Sequence, residues 1–233
     1  MMEQKNIVAT IYLKNGMAVK NPNELDQTQD VLELAQLYND SGIDKIICFD
    51  LSTDDDEHEM NLLAIREINR SIEIKTCGGG NIKRLEDVKK FLYAGCIEVV
   101  LNGSKPDVSQ LLIESSQRFG KEKILVSLKN VDFLFKTKDF LSDHIHELLI
   151  MDKSLLDSLE NITDIPYILN QDTYDFNNIA KVLNSDKIRG IYGDFINHYS
   201  TDIMQLKANL TEKGIKMDNF EAKLFWEDLK TNS

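Results

Sequence analysis

The chain has 233 residues, 42% of them hydrophobic and 28% charged, with 27 Lys+Arg against 39 Asp+Glu for a formal net charge of −12. A chain of this size buries a full core without disulfide or metal staples. The acidic balance, with no Lys/Arg block, argues against a reader of nucleic-acid backbones. No apolar run reaches the ~20 residues of a membrane span. The start, Met1 to Asn6, lacks a signal-peptide core, so a cytoplasmic protein is expected. Cys48, Cys77 and Cys96 are odd in number and without C-x-x-C spacing, which reads as reduced core thiols.

Short apolar runs alternate with amphipathic stretches along the whole chain. Ile7–Leu13 predicts a first strand, and a helical period spans Leu25 to Ser41 and stops at Gly42. Lys45–Leu51 predicts a strand, Asp55–Arg70 a helix, Ile72–Thr76 a strand, and Leu85–Ala94 a helix stopped by Gly95. Ile97–Leu101 and the helix Val108–Phe119, stopped by Gly120, complete the first half. Strands follow at Ile124–Leu128, Glu147–Met151, Pro166–Leu169 and Arg189–Tyr192, with helices near Asp132–Ser142, Ser154–Leu159, Phe176–Leu183 and Asp202–Lys213. Apolar strands joined by crossovers mean a parallel sheet with helices outside. Eight such units predict a (β/α)8 TIM barrel over residues 1–215, followed by a tail over 216–233. An open doubly wound sheet is the alternative.

In a barrel of this kind function sits at the C-terminal ends of the strands. Gly78-Gly79-Gly80-Asn81 follows the third predicted strand, and Asn102-Gly103-Ser104 the fourth. Glycines at a strand-to-helix turn let backbone N–H groups reach an anion, and the next helix N-terminus adds positive charge. Gly79, Gly80, Asn102, Gly103 and Ser104 are therefore candidates for binding a phosphorylated small molecule; a tight turn is the plainer alternative. Asp50 ends the second strand and is expected to point into the mouth, as an acid or base or as a helix cap. The run Asp54–Glu57 with His58 fits a helix N-terminus better than a metal site. His144 and His146 are expected on the surface at the opposite end, and Phe133, Phe135 and Phe140 on an apolar helix face. No cofactor or metal is expected, and the oligomeric state is left open.

Taken in order, Ile7–Lys20, Ile43–Ser52, Thr76–Gly95, Glu98–Ser104 and Arg118–Ser127 resemble the histidine-biosynthesis barrels of the ribulose-phosphate-binding type. These comprise the cyclase subunit of imidazole glycerol phosphate synthase and its phosphoribosylformimino-AICAR-phosphate isomerase relative. The resemblance is good over residues 7–130 and rests on rhythm beyond. It implies two catalytic aspartates, at the ends of strands one and five, acting on a phosphoribosyl-aminoimidazole substrate. Those positions here hold Tyr12 and Lys129. It also implies one phosphate site per half-barrel. The first matches at Gly80, Asn102 and Gly103, whereas Asp172 and Asp194 would repel a phosphate in the second.

Phe225 to Ser233 is similar to the lead-in of a phosphoribosyl-AMP cyclohydrolase domain. That resemblance implies a parent in which this barrel precedes cyclohydrolase and phosphoribosyl-ATP pyrophosphatase domains, its partners within one polypeptide. Two functions stay open. One is a barrel that has lost cyclase and isomerase chemistry but retains one phosphate-binding half. The other is an altered lyase or isomerase, with Asp50 as acid or base and Lys129 as an electrophile or imine-forming amine activated by burial.

Overall fold

A computed structural model of the chain describes residues 4–138, 140–171, 175–193 and 202–217. Strand β1 (Asn6–Lys14) runs into a hairpin of β2 (Met17–Asn21) and β3 (Glu24–Gln29), turned at Asn15-Gly16, and then helix α1 (Val31–Asp40). The first half continues as β4 (Lys45–Asp50), α2 (Asp55–Ser71), β5 (Lys75–Gly80), α3 (Leu85–Tyr93), β6 (Glu98–Asn102) and α4 (Val108–Phe119). The second half holds β7 (Ile124–Leu128), the short helices α5 (Asp132–Thr137) and α6 (Leu141–His144), β8 (Glu147–Ile150) and α7 (Leu156–Ile162). It ends with β9 (Tyr167–Asn170), α8 (Phe176–Leu183), β10 (Ile188–Gly193) and α9 (Ile203–Glu212).

Strand β10 pairs parallel with β1, Asn6 opposite Gly190 and Ala9 opposite Gly193. That pairing closes β1 and β4 through β10 into an eight-stranded (β/α)8 barrel and removes the open-sheet alternative. At the seam a Cβ on Gly190 would lie 2.4 Å from the Asn6 carbonyl oxygen, so only glycine lets the two strands close. The lumen is packed by one side chain from each barrel strand, from Val8 on β1 through Ile47, Cys77, Val100, Leu125, Leu149 and Ile168 to Tyr192 on β10. A larger apolar layer lies between barrel and helices.

Three predicted elements differ. Leu25–Gln29 belongs not to a helix but to the hairpin, because α1 starts only where Asp30 accepts hydrogen bonds from the Leu32 and Glu33 N–H groups. The third barrel strand is Lys75–Gly80, shifted past Ile72, which instead ends α2 with its N–H on the Ile68 carbonyl. The glycine triplet is therefore strand, not the turn after it. Asp132–Ser142 is not one helix: it breaks after Thr137, and Phe135 is exposed rather than packed. The glycines at 42, 95 and 120 take positive φ as expected of helix stops.

Candidate active-site mouth

Strand alternation decides which side chains reach the mouth. On β4, Ile47 belongs to the lumen and Phe49 packs against it from above, so Asp50 faces outward toward α2. Its carboxylate is completely buried. Oδ1 accepts from the Ser52 N–H at 2.9 Å and the Asn61 amide at 2.6 Å. Oδ2 accepts from the Ser52 hydroxyl at 2.9 Å and shares a 2.5 Å hydrogen bond with His58 Nδ1. Asn61 extends this network to the Leu13 carbonyl and the Gly16 N–H at the root of the hairpin. Asp50 thus ties β4, α2 and the hairpin together with a carboxylate closed to solvent. It does not cap α2; Asp54 does, accepting from the Glu57 N–H. Glu57 turns back to Lys14, 2.9 Å away, and to the Thr53 and Asn15 N–H groups, which together hold its carboxyl below the usual range despite burial.

At the end of β1, Tyr12 stacks on Phe49, ring centroids 5.5 Å apart and planes 16° from parallel. These rings lie above the apolar lumen layer, in which the Tyr192 hydroxyl is buried. Lys129, just past β7, is exposed. The burial that would activate it as an imine-forming amine is absent.

The glycine triplet has a packing reason at each position. A Cβ on Gly78 would strike Phe91, one on Gly79 would press on Val100 and Phe49, and one on Gly80 (φ +111°) would lie 2.1 Å from the Asp50 carbonyl oxygen. Gly80 nonetheless lines a cavity of about 430 Å³ with Lys14, Asp50, Ser52, Asn81 and Lys105, and with Pro22 and Leu25 of the hairpin. The Asn102–Ser104 loop lies one strand over, and Lys105 joins the two loops by donating to the Ile82 carbonyl at 3.0 Å. Two N–H groups expected to meet a phosphate are already engaged. Gly103 donates to the Ser127 carbonyl at 3.0 Å, and Ser104 to Asn102 Oδ1 at 2.9 Å. The donors left to an anion are side chains: the Asn102 amide, the Ser104 hydroxyl and the Lys105 ammonium. The sequence singles out neither Lys14 nor Lys105, since a strand-end lysine looks like any surface lysine until register is known.

The opposite end of the lumen is a charged floor. Glu98 takes a 2.7 Å ion pair from Lys45, a 2.8 Å contact from the Cys77 thiol and a 3.3 Å contact from His146 Nε2. His146, half-buried at the edge of this floor, also contacts the Lys121 carbonyl, and His144 meets the Ser116 hydroxyl at 2.6 Å. Burial alone would raise the Glu98 carboxyl, but the His146 hydrogen bond and the Lys45 charge bring it down to about 2. Its neighbour Glu147 has no such hydrogen bonds, and burial pushes it up to about 7 against the pull of Lys45 and His146. The three cysteines are free and buried. Among the described residues no group of three or more His, Cys, Asp or Glu could hold a metal, and no helix is long and apolar enough to cross a membrane. Asp172, Asp194 and the tail motif Phe225–Ser233 lie outside the described residues.

Comparison with known proteins agrees with this architecture. The sequence model for "Histidine biosynthesis protein" matches residues 6–145. The imidazole glycerol phosphate synthase subunit HisF of Wolinella succinogenes is 25% identical across 91% of this chain and 97% of its own length. That of Streptococcus mutans is 23% identical across 93% of this chain and all of its own. That of Helicobacter hepaticus reaches 31%, but over only 53% of this chain and 50% of its own. With the family pattern matched across more than half its length, on a closed eight-stranded barrel, the chain belongs to the histidine biosynthesis protein family.

Proposed function

We propose that this barrel binds a phosphoribosyl-aminoimidazole-type ligand through its first half but does not carry out the cyclisation or isomerisation of its relatives. The observation that carries this reading is the strand-one end. Where the resemblance implies an aspartate, Tyr12 lies stacked on Phe49, and a phenol of ordinary pKa near 10 is a poor proton carrier at neutral pH. Lys129 at the strand-five end likewise offers a cation in place of a base. The first-half phosphate site would be the loop ends carrying Gly79, Gly80 and Gly103, with the Asn102 amide, the Ser104 hydroxyl and the Lys105 ammonium as its donors. The altered-enzyme alternative receives no support from Asp50, whose carboxylate is fully buried and bound by Ser52, His58 and Asn61, or from the exposed Lys129.

The tail motif supports a wider setting, in which the barrel precedes cyclohydrolase and pyrophosphatase domains of one cytoplasmic histidine-pathway polypeptide. The relatives are named as subunits of a synthase, and a protein partner for this barrel is part of the same proposal.

Calorimetric titration with a phosphoribosyl-aminoimidazole-carboxamide ligand tests the binding claim. Wild type is expected to bind, and Asn102→Leu to lose about 1.5–3 kcal/mol, the worth of a hydrogen bond to a charged group. Equal binding by both would remove Asn102 from the site, and no binding by either would leave the glycine triplet a matter of packing alone.

A further inference from the structure

An asparagine followed by glycine is open to self-modification, because a residue without Cβ lets its own amide nitrogen approach the preceding side chain. The chain carries two such dipeptides, Asn15-Gly16 and Asn102-Gly103, and both asparagines are exposed. The fold holds them differently. Gly103 is buried in the barrel rim, where its N–H donates to the Ser127 carbonyl at 3.0 Å and a Cβ would lie 2.9 Å from the same oxygen. The Asn102 side chain is occupied too, its Oδ1 accepting from the Ser104 N–H at 2.9 Å. Freeing Gly103 therefore means lifting the end of β6 from β7.

Asn15-Gly16 is the two-residue turn between the paired Lys14 and Met17, with φ of +50° and +74°. Among the described residues no hydrogen bond holds the Asn15 side chain. The turn is tied down from α2, the Asn15 N–H donating to Glu57 Oε1 at 3.2 Å and the Gly16 N–H to Asn61 Oδ1 at 2.8 Å. Asn61 itself is completely buried. The hairpin ends in β3, every residue of which is exposed, and a segment with so little buried surface opens locally at low cost.

We propose that Asn15 is a self-modification site of this chain, with water as co-reactant, and that the Asn61 bond to Gly16 sets its rate. Once that bond opens and solvent base takes the Gly16 amide proton, the nitrogen attacks Asn15 Cγ. The new C–N bond closes a succinimide ring, and the side-chain nitrogen leaves as ammonia, taking its proton from water. Water then adds to either ring carbonyl and opens the ring, which leaves aspartate or isoaspartate at position 15. Both products set a new negative charge beside Glu57, and isoaspartate lengthens the backbone by one atom within the two-residue turn. The hairpin that brings Pro22 and Leu25 to the cavity around Gly80 is thereby loosened.

Peptide mass mapping of the full chain, held at mildly alkaline pH and read as the exchange of amide for carboxylate, tests this. In urea both dipeptides are expected to convert at similar rates. In the folded chain Asn15 should convert well ahead of Asn102; equal rates, or Asn102 first, would overturn the proposal. Asn61→Ala should speed Asn15 roughly fivefold or more, the effect of one ordinary hydrogen bond on an opening equilibrium, and leave Asn102 unchanged. An unchanged Asn15 rate in that variant would remove Asn61 from the proposal. If the variant weakens the whole fold, both sites quicken together and the test passes to wild type. There amide hydrogen exchange at Gly16 is expected to outpace that at Gly103, and slower exchange at Gly16 would overturn the proposal.

Discussion

Asp50→Ala is expected to destabilise the barrel by about 3–5 kcal/mol, because it removes a fully buried acceptor on which four hydrogen bonds converge. The substitution leaves the His58 imidazole and the Asn61 amide without their acceptor in a space closed to water. It also frees Ser52 at the start of the β4–α2 loop. Asn61 joins this network to the hairpin, so hydrogen exchange at Gly16 should quicken along with the global loss. Asp50→Asn keeps the shape and part of the bonding and should cost less. Urea unfolding measures both variants. A residue held ready for proton transfer would behave in the opposite way, with activity lost and stability kept, and an Asp50→Ala loss below about 1 kcal/mol would contradict the role described here.

The floor of the barrel gives the second large effect. The Glu147 carboxyl titrates at about 7 in the folded barrel, against an ordinary 4.5, so between those values the native state holds a proton that the unfolded chain has released. Its contribution to stability therefore falls as pH rises from about 4.5 to 7, by on the order of 3 kcal/mol. Glu98 works in the other direction. Brought down to about 2, it contributes stability above about 4.5 that is lost as pH falls toward 2. His146, held above its usual value mainly by Glu98 against the effect of burial, stabilises the fold at low pH and loses that contribution as it deprotonates. Glu147→Gln, nearly isosteric and neutral, should thus match wild type near pH 4.5 and exceed its stability near pH 8. Unfolding free energies of the two proteins at both pH values decide the matter; parallel pH profiles would mean that Glu147 is ionised in the fold throughout.

The barrel was legible because its strands are apolar and its helices stop at glycines that structurally need positive φ, as at Gly42, Gly95 and Gly120. The β2–β3 hairpin was not. Every residue of β3 is exposed, so Glu24–Gln29 carries no period-2 pattern, and Leu25 could be absorbed into the helical period that begins at Val31. Asp50 shows how far a strand-end motif carries. Its place at the end of β4 was readable, but its facing depends on a one-residue question of register, and a slip of one exchanges mouth for helix layer. The charged floor was hidden for a related reason: Lys45, Glu98, His146 and Glu147 are far apart in the chain and look like ordinary strand-flanking charges until the barrel closes over them. The same holds for Lys14 and Lys105 beside Gly80.

We propose that the barrel keeps its family's architecture without the acid–base pair that the resemblance implies at the positions of Tyr12 and Lys129. The most direct test is turnover of a phosphoribosyl-aminoimidazole substrate, as cyclisation or isomerisation, by the purified chain. A rate indistinguishable from buffer is expected, unchanged in Tyr12→Phe and Lys129→Ala. A saturable rate well above background that either substitution abolishes would contradict it.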